Sequence, residues 1–214
     1  MTMLLFPLLL LLFAFSCYRI SQRGQKTAKR KPRDAAQPID HRIPPMPLFT
    51  LLYVGGYAYW FLALHHLSFH EEAFARASIA LCMGAVLCTI VYLVAPTQLR
   101  RPELPASDKL PFRLLKSIYE SDEPACVCPS LHCMLTWVCF LGLWQLFYGA
   151  LLPMILLITL AFLLCISTLL IKQQCFLGMA MGVGIAQAVY LIAGNAQLLD
   201  AAVTMWSTLA RMLR

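Results

Sequence analysis

The chain has 214 residues, of which 60% are hydrophobic and only 13% are charged, and its formal net charge is +7. A water-soluble domain carries about twice that share of charged residues, and its interior could not hide so much apolar surface. The composition therefore excludes an ordinary soluble globular protein. It predicts an integral, multi-pass membrane protein, with the cell or inner membrane as the expected location.

Six apolar segments follow one another along the chain, each near the length of about 20 residues that a membrane-spanning helix needs. They are Met1–Cys17, Phe49–Leu67, Ala77–Ala95, Leu131–Tyr148, Ala150–Ile171 and Phe176–Gly194. Because backbone polar groups cannot stay unpaired in lipid, and because the segments lack the alternation of barrel strands, helices are predicted. The expected fold class is an all-α, six-helix transmembrane bundle whose core covers residues 48–195.

The first segment, within residues 1–18, has no basic residue before its apolar region. A signal peptide usually has one, so we expect this segment to stay as a first transmembrane helix or signal-anchor. Residues 19–47 form a basic, proline-bearing connector that is too polar to span and is expected to be poorly ordered through its first half. Its charges favour a cytoplasmic position by the positive-inside rule, and they do not favour nucleic-acid binding.

The C-terminal tail, residues 196–214, places apolar side chains at helical spacing. This pattern predicts an amphipathic helix. Such a helix can lie at the membrane interface, with Trp206 at the depth of the lipid headgroups, or it can pack against the bundle. The sequence leaves both arrangements open.

Polar residues gather at three places between the apolar segments. Arg100 and Arg101 follow the third segment, the sequence CPSLHC opens the fourth with Ser130 and His132, and STLLIKQQCFLG links the fifth and sixth. Counting the crossings puts all three clusters on one membrane face. Cations, hydroxyls and a histidine at one end of a bundle can hold phosphate oxygens and move protons, so a phosphate site is predicted there.

Each of these residues also has a purely structural interpretation. Arg100 and Arg101 can anchor a helix end, Ser130 can cap the fourth helix, and Lys172 can extend toward the interface. His132 can be a histidine at a helix terminus whose ring bonds a carbonyl group. The cysteine spacing C-x-C-x3-H-C matches no common zinc or haem pattern, so we expect no metal and no cofactor.

Together the motifs resemble those of the type 2 phosphatidic acid phosphatase superfamily, in particular its branch related to inositol phosphorylceramide synthases. The matching stretches are PIDHRIPPMP, PTQLRRPELP, CPSLHC and STLLIKQQCFLGMAMGVGIA, in the family's order. The resemblance implies a six-helix lipid phosphatase or phosphotransferase that needs no metal. It implies membrane lipids as partners, with a phospholipid or isoprenoid phosphate headgroup as the ligand, and it leaves homo-oligomerisation open.

The resemblance also implies roles for individual residues. His132 would be the general acid that protonates the leaving-group oxygen. The residues that would bind phosphate are Arg101, Ser130, Ser167 and Lys172. Sites of this family generally face the lumen or the exterior, whereas the basic connector favours the cytoplasm, so the membrane face of the site is left open.

The third motif departs from the family pattern at its two reactive positions. The family places a histidine nucleophile where this chain has Gln174, and an orienting aspartate where it has Gly178. Because an amide is not basic and glycine offers no carboxylate, the expected function is headgroup binding without turnover. Two alternatives stay open: an active lipid phosphatase or inositol-phosphate transferase with an altered nucleophile, and a non-catalytic membrane scaffold.

Overall fold

The computed structural model describes residues 2–27, 31–104 and 107–212, with side chains between residues 4 and 208. The helices are α1 (Thr2–Thr27), α2 (Pro38–Arg42), α3 (Thr50–Leu67), α4 (Glu71–Val94), α5 (Leu110–Ser121), α6 (Leu131–Leu146), α7 (Leu151–Leu170), α8 (Phe176–Ala193) and α9 (Ala196–Met212). A 3-10 turn, Pro47–Phe49, precedes α3, and the short strands β1 (Arg33–Asp34) and β2 (Thr97–Gln98) pair in parallel. Residues 28–30 of the predicted connector and 213–214 of the predicted tail lie outside the described residues.

Five of the described helices, α1, α3, α4, α7 and α8, are long and apolar enough to cross a membrane. The prediction of an all-helical integral membrane protein is thereby confirmed. The fourth predicted segment is also helical and apolar, but α6 has only 16 residues and ends at Leu146 rather than Tyr148. At 1.5 Å per residue it covers about 24 Å, which is shorter than the roughly 30 Å of a bilayer's hydrocarbon core.

The first helix is longer than the sequence predicts. Its apolar segment ends at Cys17, but α1 continues to Thr27. The extra turns are held by polar contacts, since the buried Gln25 side chain donates to the carbonyl oxygen of Tyr92 on α4 at 3.1 Å. The expectation of a poorly ordered first half of the connector is therefore wrong over residues 19–27, because contacts with α4 stabilise a polar stretch that would be a weak helix alone.

The short helix α6 lies at the centre of the bundle, in contact with α3, α4, α7 and α8. Its buried side chains include Met134, Val138 and Cys139. The indole nitrogen of Trp60 on α3 donates to the hydroxyl of Thr136 at 2.9 Å, which satisfies two polar groups inside the bundle. A helix that is apolar on all sides is expected to be surrounded by protein or lipid, and here most of the cover is protein.

The C-terminal helix α9 packs against the bundle. Trp206 is only 8% exposed, and its ring lies 4.2 Å from that of Phe6 on α1 and 4.5 Å from that of Phe74 on α4, between centroids. Of the two arrangements that the sequence leaves open, packing on the bundle is the one observed, because the largest apolar side chain of the tail inserts between two helices.

The connecting segments meet at one end of the bundle. Arg33 and Asp34 pair with Thr97 and Gln98, and Gln98 also forms an antiparallel bridge with Ala125. These pairs join the segment after α1, the segment after α4 and the segment before α6. The three polar clusters noted in the sequence all follow or precede helices at this end.

Two glycines on one face of α8 let the segment before α6 approach very closely. A Cβ atom added at Gly178 would lie under 3.0 Å from the carbonyl oxygen of Val127, and one added at Gly182 would also lie under 3.0 Å from that of Ser130. The backbone N–H of Ser130 donates to the carbonyl oxygen of Gly178 at 2.8 Å. Spacing of four residues puts both glycines on the same helix face, the arrangement by which small residues allow close packing in membranes.

We expect Gly178→Ala to destabilise the protein by about 3 kcal/mol, because the new methyl group would meet a backbone oxygen that cannot move aside as a side chain can. The matched control is Gly184→Ala on the same helix, where nothing lies within 4 Å of the added Cβ. That variant should be unchanged or up to about 1 kcal/mol more stable. Thermal unfolding in detergent measures both, and equal stability of the two variants would contradict the packing described.

Candidate functional site

The imidazole of His132, in the first turn of α6, packs against one face of α3. Its ring centroid lies 4.6 Å from that of Tyr53, nearly parallel, and 4.6 Å from that of Trp60, edge to face. A Cβ atom at Gly56 would lie 3.0 Å from the imidazole, so the glycine makes room for it. Positions 53, 56 and 60 share one helix face, which places the two aromatic rings on either side of the glycine.

His132 and two nearby glutamines are buried side chains that carry polar atoms without hydrogen-bond partners among the described residues. His132 is 7% exposed, Gln173 4% and Gln174 8%. Both imidazole nitrogens of His132 and the Oε1 atoms of both glutamines have no partner among the described residues. Buried polar groups in proteins are almost always bonded, so such a group calls for water or a ligand.

All three side chains line one cavity of about 400 Å³, called here the histidine cavity. Its walls come from α1, α3, the C-terminal end of α5, the first two turns of α6 and the segment between α7 and α8. Its other lining residues are Phe15, Tyr18, Arg19, Tyr53, Tyr57, Trp60, Ile118, Ser121, Asp122, Leu131 and Leu135. The cavity is therefore largely aromatic and apolar, with polar groups gathered at one side, as is common in small-molecule sites.

A carboxylate, Asp122, organises the polar side of the histidine cavity. It accepts hydrogen bonds from the hydroxyl of Tyr18 at 2.9 Å and from the side-chain amide of Gln173 at 2.6 Å. The amide of Gln22 donates to it as well, and the guanidinium of Arg101 lies 3.5 Å away. Burial raises the pKa of Asp122, while the Tyr18 hydroxyl and the Arg101 charge act in the opposite direction.

The guanidinium of Arg101 is bonded mainly to backbone at the end of α5. Its terminal nitrogens donate to the carbonyl oxygens of Tyr119, Asp122 and Glu123, at 3.1, 2.6 and 3.1 Å. Its charged group also lies over the ring of Tyr119, 4.7 Å from the centroid. A cation at carbonyl groups beyond a helix C-terminus is stabilising, so Arg101 fixes the position of Asp122.

A second cavity of about 400 Å³ lies beside the first and is called here the basic cavity. Its basic lining residues are His41, Arg100, Arg101 and Lys172. Two acidic residues, Asp34 and Asp40, also line it, but the Asp40 carboxylate is bonded to the backbone N–H groups of Gln37 and Phe176. Gln174 lines both cavities and so forms part of the wall between them.

Lys172 has a left-handed backbone conformation, with φ of 55°, in the turn after α7. Its ammonium group donates to the carbonyl oxygen of Asp40 at 2.6 Å. Burial lowers the pKa of Lys172, and the nearby Asp40 carboxylate opposes this shift. Within the described part of the chain, the bond to Asp40 is the one hydrogen bond of this ammonium group, so two of the three N–H donors are left for other partners.

The remaining predicted residues have structural contacts. Ser130 is the N-cap of α6, accepting from the backbone N–H of Cys133 at 3.2 Å, as the structural interpretation of the sequence predicts. The Ser167 hydroxyl donates to the carbonyl oxygen of Leu164 in its own helix at 2.6 Å. Gly178 has no side chain, which lets α8 pack closely against the segment before α6. None of these three lines either cavity.

The structure thus brings His132 and Gln174 into one cavity, and Arg101, Lys172 and Gln174 into its neighbour. Sequence reasoning missed Asp122, which stands in a loop as one of three acidic residues within four positions and looks like a solvated charge. It also missed the aromatic face of α3. The spacing of Tyr53, Tyr57 and Trp60 was a usable signal, because residues four and seven apart share a helix face.

Comparisons with protein-family models, with curated proteins and with solved structures find nothing that matches this chain. The resemblance to the type 2 phosphatidic acid phosphatase superfamily stays a prediction from the motifs. The roles of the site residues therefore rest on their contacts within this chain. Among the described residues, no three His, Cys, Asp or Glu side chains are grouped so that they could hold a metal ion.

We expect Tyr18→Phe to destabilise the protein by about 1–2 kcal/mol, because it removes a hydroxyl that donates to both oxygens of the Asp122 carboxylate. The matched control is Tyr148→Phe, since Tyr148 is 80% exposed. Thermal unfolding in detergent should separate the two variants. A Tyr18→Phe protein as stable as the control would mean that the Asp122 contacts do not hold α1 to the site.

Proposed function

We propose that this chain is a membrane protein of the lipid-phosphatase type that binds the phosphate-bearing headgroup of a lipid and does not turn it over. The expected ligands are a phospholipid or an isoprenoid phosphate in the cell or inner membrane. The observation that carries the proposal is the basic cavity, where Arg100, Lys172 and His41 line a space that Gln174 separates from His132.

Within the basic cavity, Arg100 and Lys172 are the residues best suited to hold phosphate. Lys172 has N–H donors beyond its single bond to Asp40, and Arg100 is exposed at the edge of the cavity. Cation-to-phosphate hydrogen bonds are shorter and about twice as strong as neutral ones. Arg101, whose terminal nitrogens bond three carbonyl groups, acts by positioning the cavity wall rather than by donating those nitrogens to the ligand.

The absence of turnover follows from the side chains at the reactive positions. Gln174 carries an amide, which cannot attack phosphorus as an imidazole can. An acid at position 178 would meet the carbonyl oxygen of Val127, so no carboxylate fits there with this backbone. The thiol of Cys175 accepts from the backbone N–H of Gly178 at 3.3 Å and does not line the histidine cavity.

The proposal also includes six membrane-spanning helices, which are the five long apolar helices and the shorter α6. The helix α6 is too short to span by itself, but α3, α4, α7 and α8 surround it. Protein contacts rather than lipid would cover its ends, and we propose that it crosses the membrane as the sixth span.

The binding test uses purified protein in nanodiscs and photoactivatable phosphatidic acid, with a photoactivatable isoprenoid phosphate as the second probe. Arg100→Gln should reduce labelling by the preferred probe about tenfold, since a charge-assisted contact to phosphate is lost. The matched control is Arg113→Gln, because Arg113 is exposed on α5 and does not line the basic cavity. Equal labelling of both variants would contradict the proposal.

The same lipids test the enzymatic alternative through release of inorganic phosphate. The motivating observation is that neither nitrogen of His132 has a hydrogen-bond partner among the residues that the structure describes, which leaves both available for chemistry. We expect no release above the level of the His132→Ala variant. Release by the native protein that His132→Ala abolishes would establish an active phosphatase instead.

A further inference from the structure

The buried atoms of the histidine cavity that lack hydrogen-bond partners among the described residues are mainly acceptors. They are the Oε1 atoms of Gln173 and Gln174 and both nitrogens of His132, none of which has a partner in the described part of the chain. Arg19 also lines the cavity, but it is exposed at the mouth and its guanidinium donates to the side-chain oxygen of Gln22 at 3.3 Å. The orientation of the Gln173 amide is set by its neighbour, because its nitrogen donates to the Asp122 carboxylate, which can only accept. Its oxygen therefore faces away from Asp122 and lacks a donor.

A phosphate group does not complement this side of the cavity. Phosphate oxygens accept hydrogen bonds, and here they would face the amide oxygen of Gln173 and the carboxylate of Asp122. A cationic headgroup is also disfavoured, because the Asp122 charge already has the Arg101 guanidinium 3.5 Å away and receives donors from Tyr18 and Gln22. A buried ammonium would bring a charge with no free counter-ion.

Uncharged hydroxyl groups do complement the polar side of the histidine cavity. A neutral imidazole offers one N–H donor and one acceptor nitrogen, so His132 and the Gln173 oxygen present two acceptors and one donor. The Gln174 amide adds a group that can accept through its oxygen or donate through its nitrogen. Two hydroxyl groups on neighbouring carbons can each donate once and accept as well. They would satisfy buried atoms that are otherwise unpaired, without adding charge.

The rim of the cavity identifies the source of such a ligand. Phe15 on α1 and Tyr57 on α3 both line the cavity and are 36% and 39% exposed, and their rings stack with centroids 5.8 Å apart. Both helices are long and apolar enough to cross a membrane. In a membrane their exposed faces would meet lipid, so the mouth beside Phe15 and Tyr57 would open to the bilayer. The exposed lining residues Arg19 and Ser121 would place that mouth near the lipid headgroups. A volume of about 400 Å³ is small for a ligand pocket and suits a single-chain lipid.

We infer that the histidine cavity is a binding site for an uncharged single-chain lipid whose headgroup carries two free hydroxyl groups, as in a monoacylglycerol. The hydroxyls bond His132, Gln173 and Gln174, and the first carbons of the chain lie against Tyr57, Trp60 and Leu135. The site is separate from phosphate binding in the basic cavity, with Gln174 as the residue common to both.

The test uses the full-length protein in nanodiscs and a photoactivatable monoacylglycerol. Labelling should be saturable and displaced by excess monoacylglycerol. The matched ligand, in which both hydroxyls are methyl ethers, should compete about tenfold less well, because it has lost both donors. Equal competition by the two lipids would overturn the inference, and so would labelling that does not saturate, which would mean that the cavity holds only water.

The matched protein variants are His132→Phe and His66→Phe. Phenylalanine keeps a ring between Tyr53 and Trp60 but removes both nitrogens, so labelling should fall about tenfold. His66 stacks on Phe147 near the opposite end of α3, and its variant should be labelled like the native protein. Native-like labelling of His132→Phe would overturn the inference. If that variant does not fold, the comparison of the two lipids on the native protein decides.

The phosphate-lipid probe, run on the same preparation, separates this site from the proposed function. Labelling by monoacylglycerol without labelling by either phosphate lipid would refute phosphate binding and uphold the inference. Labelling by a phosphate lipid without saturable labelling by monoacylglycerol would do the reverse.

Discussion

The arrangement of the site depends on the contact between α8 and the segment that precedes α6. With no side chain at Gly178 and Gly182, the carbonyl groups of Val127 and Ser130 lie directly on the helix backbone. This contact fixes Ser130 as the cap of α6 and so determines where the next residues point. His132 follows two residues later, and its ring enters the space that Gly56 leaves open on α3. Close backbone packing on one side of α6 thus positions an imidazole on the other.

The same contact also limits which side chains can stand at this end of the bundle. The family resemblance predicts a carboxylate at position 178, whereas the observed packing leaves no room there for any side chain. The carboxylate at this end of the histidine cavity is Asp122, whose charge is compensated by Arg101 and by hydrogen bonds from three neutral side chains. The two cavities consequently differ in charge: basic residues outnumber acidic ones in the lining of the basic cavity. The histidine cavity instead has an acid that is paired with Arg101, and buried acceptor atoms without partners among the described residues. Gln174 is common to both because it lies in the short turn between α7 and α8.

Much of the fold could be predicted from local sequence, because apolar length and the cost of unpaired backbone in lipid determine where helices form. The sequence therefore predicted the positions of α3, α7 and α8 to within a few residues. It could not predict that α1 continues to Thr27, since that depends on a bond from Gln25 to α4. The candidate site could be predicted only in part. The sequence singled out His132 and Gln174, which line one cavity. It could not predict the hydrogen bonds of Arg101 or the position of Asp122, because these depend on contacts between residues distant in sequence.

The exposed rim formed by Phe15 and Tyr57 has a consequence for how occupancy of the histidine cavity is set. A site reached through the bilayer equilibrates with lipid dissolved in the membrane, so its filling follows the mole fraction of the ligand among the surrounding lipids. Diluting the vesicles in buffer would leave occupancy unchanged, whereas adding inert phospholipid would lower it. The protein would then report on the composition of its own membrane rather than on any concentration in the surrounding water.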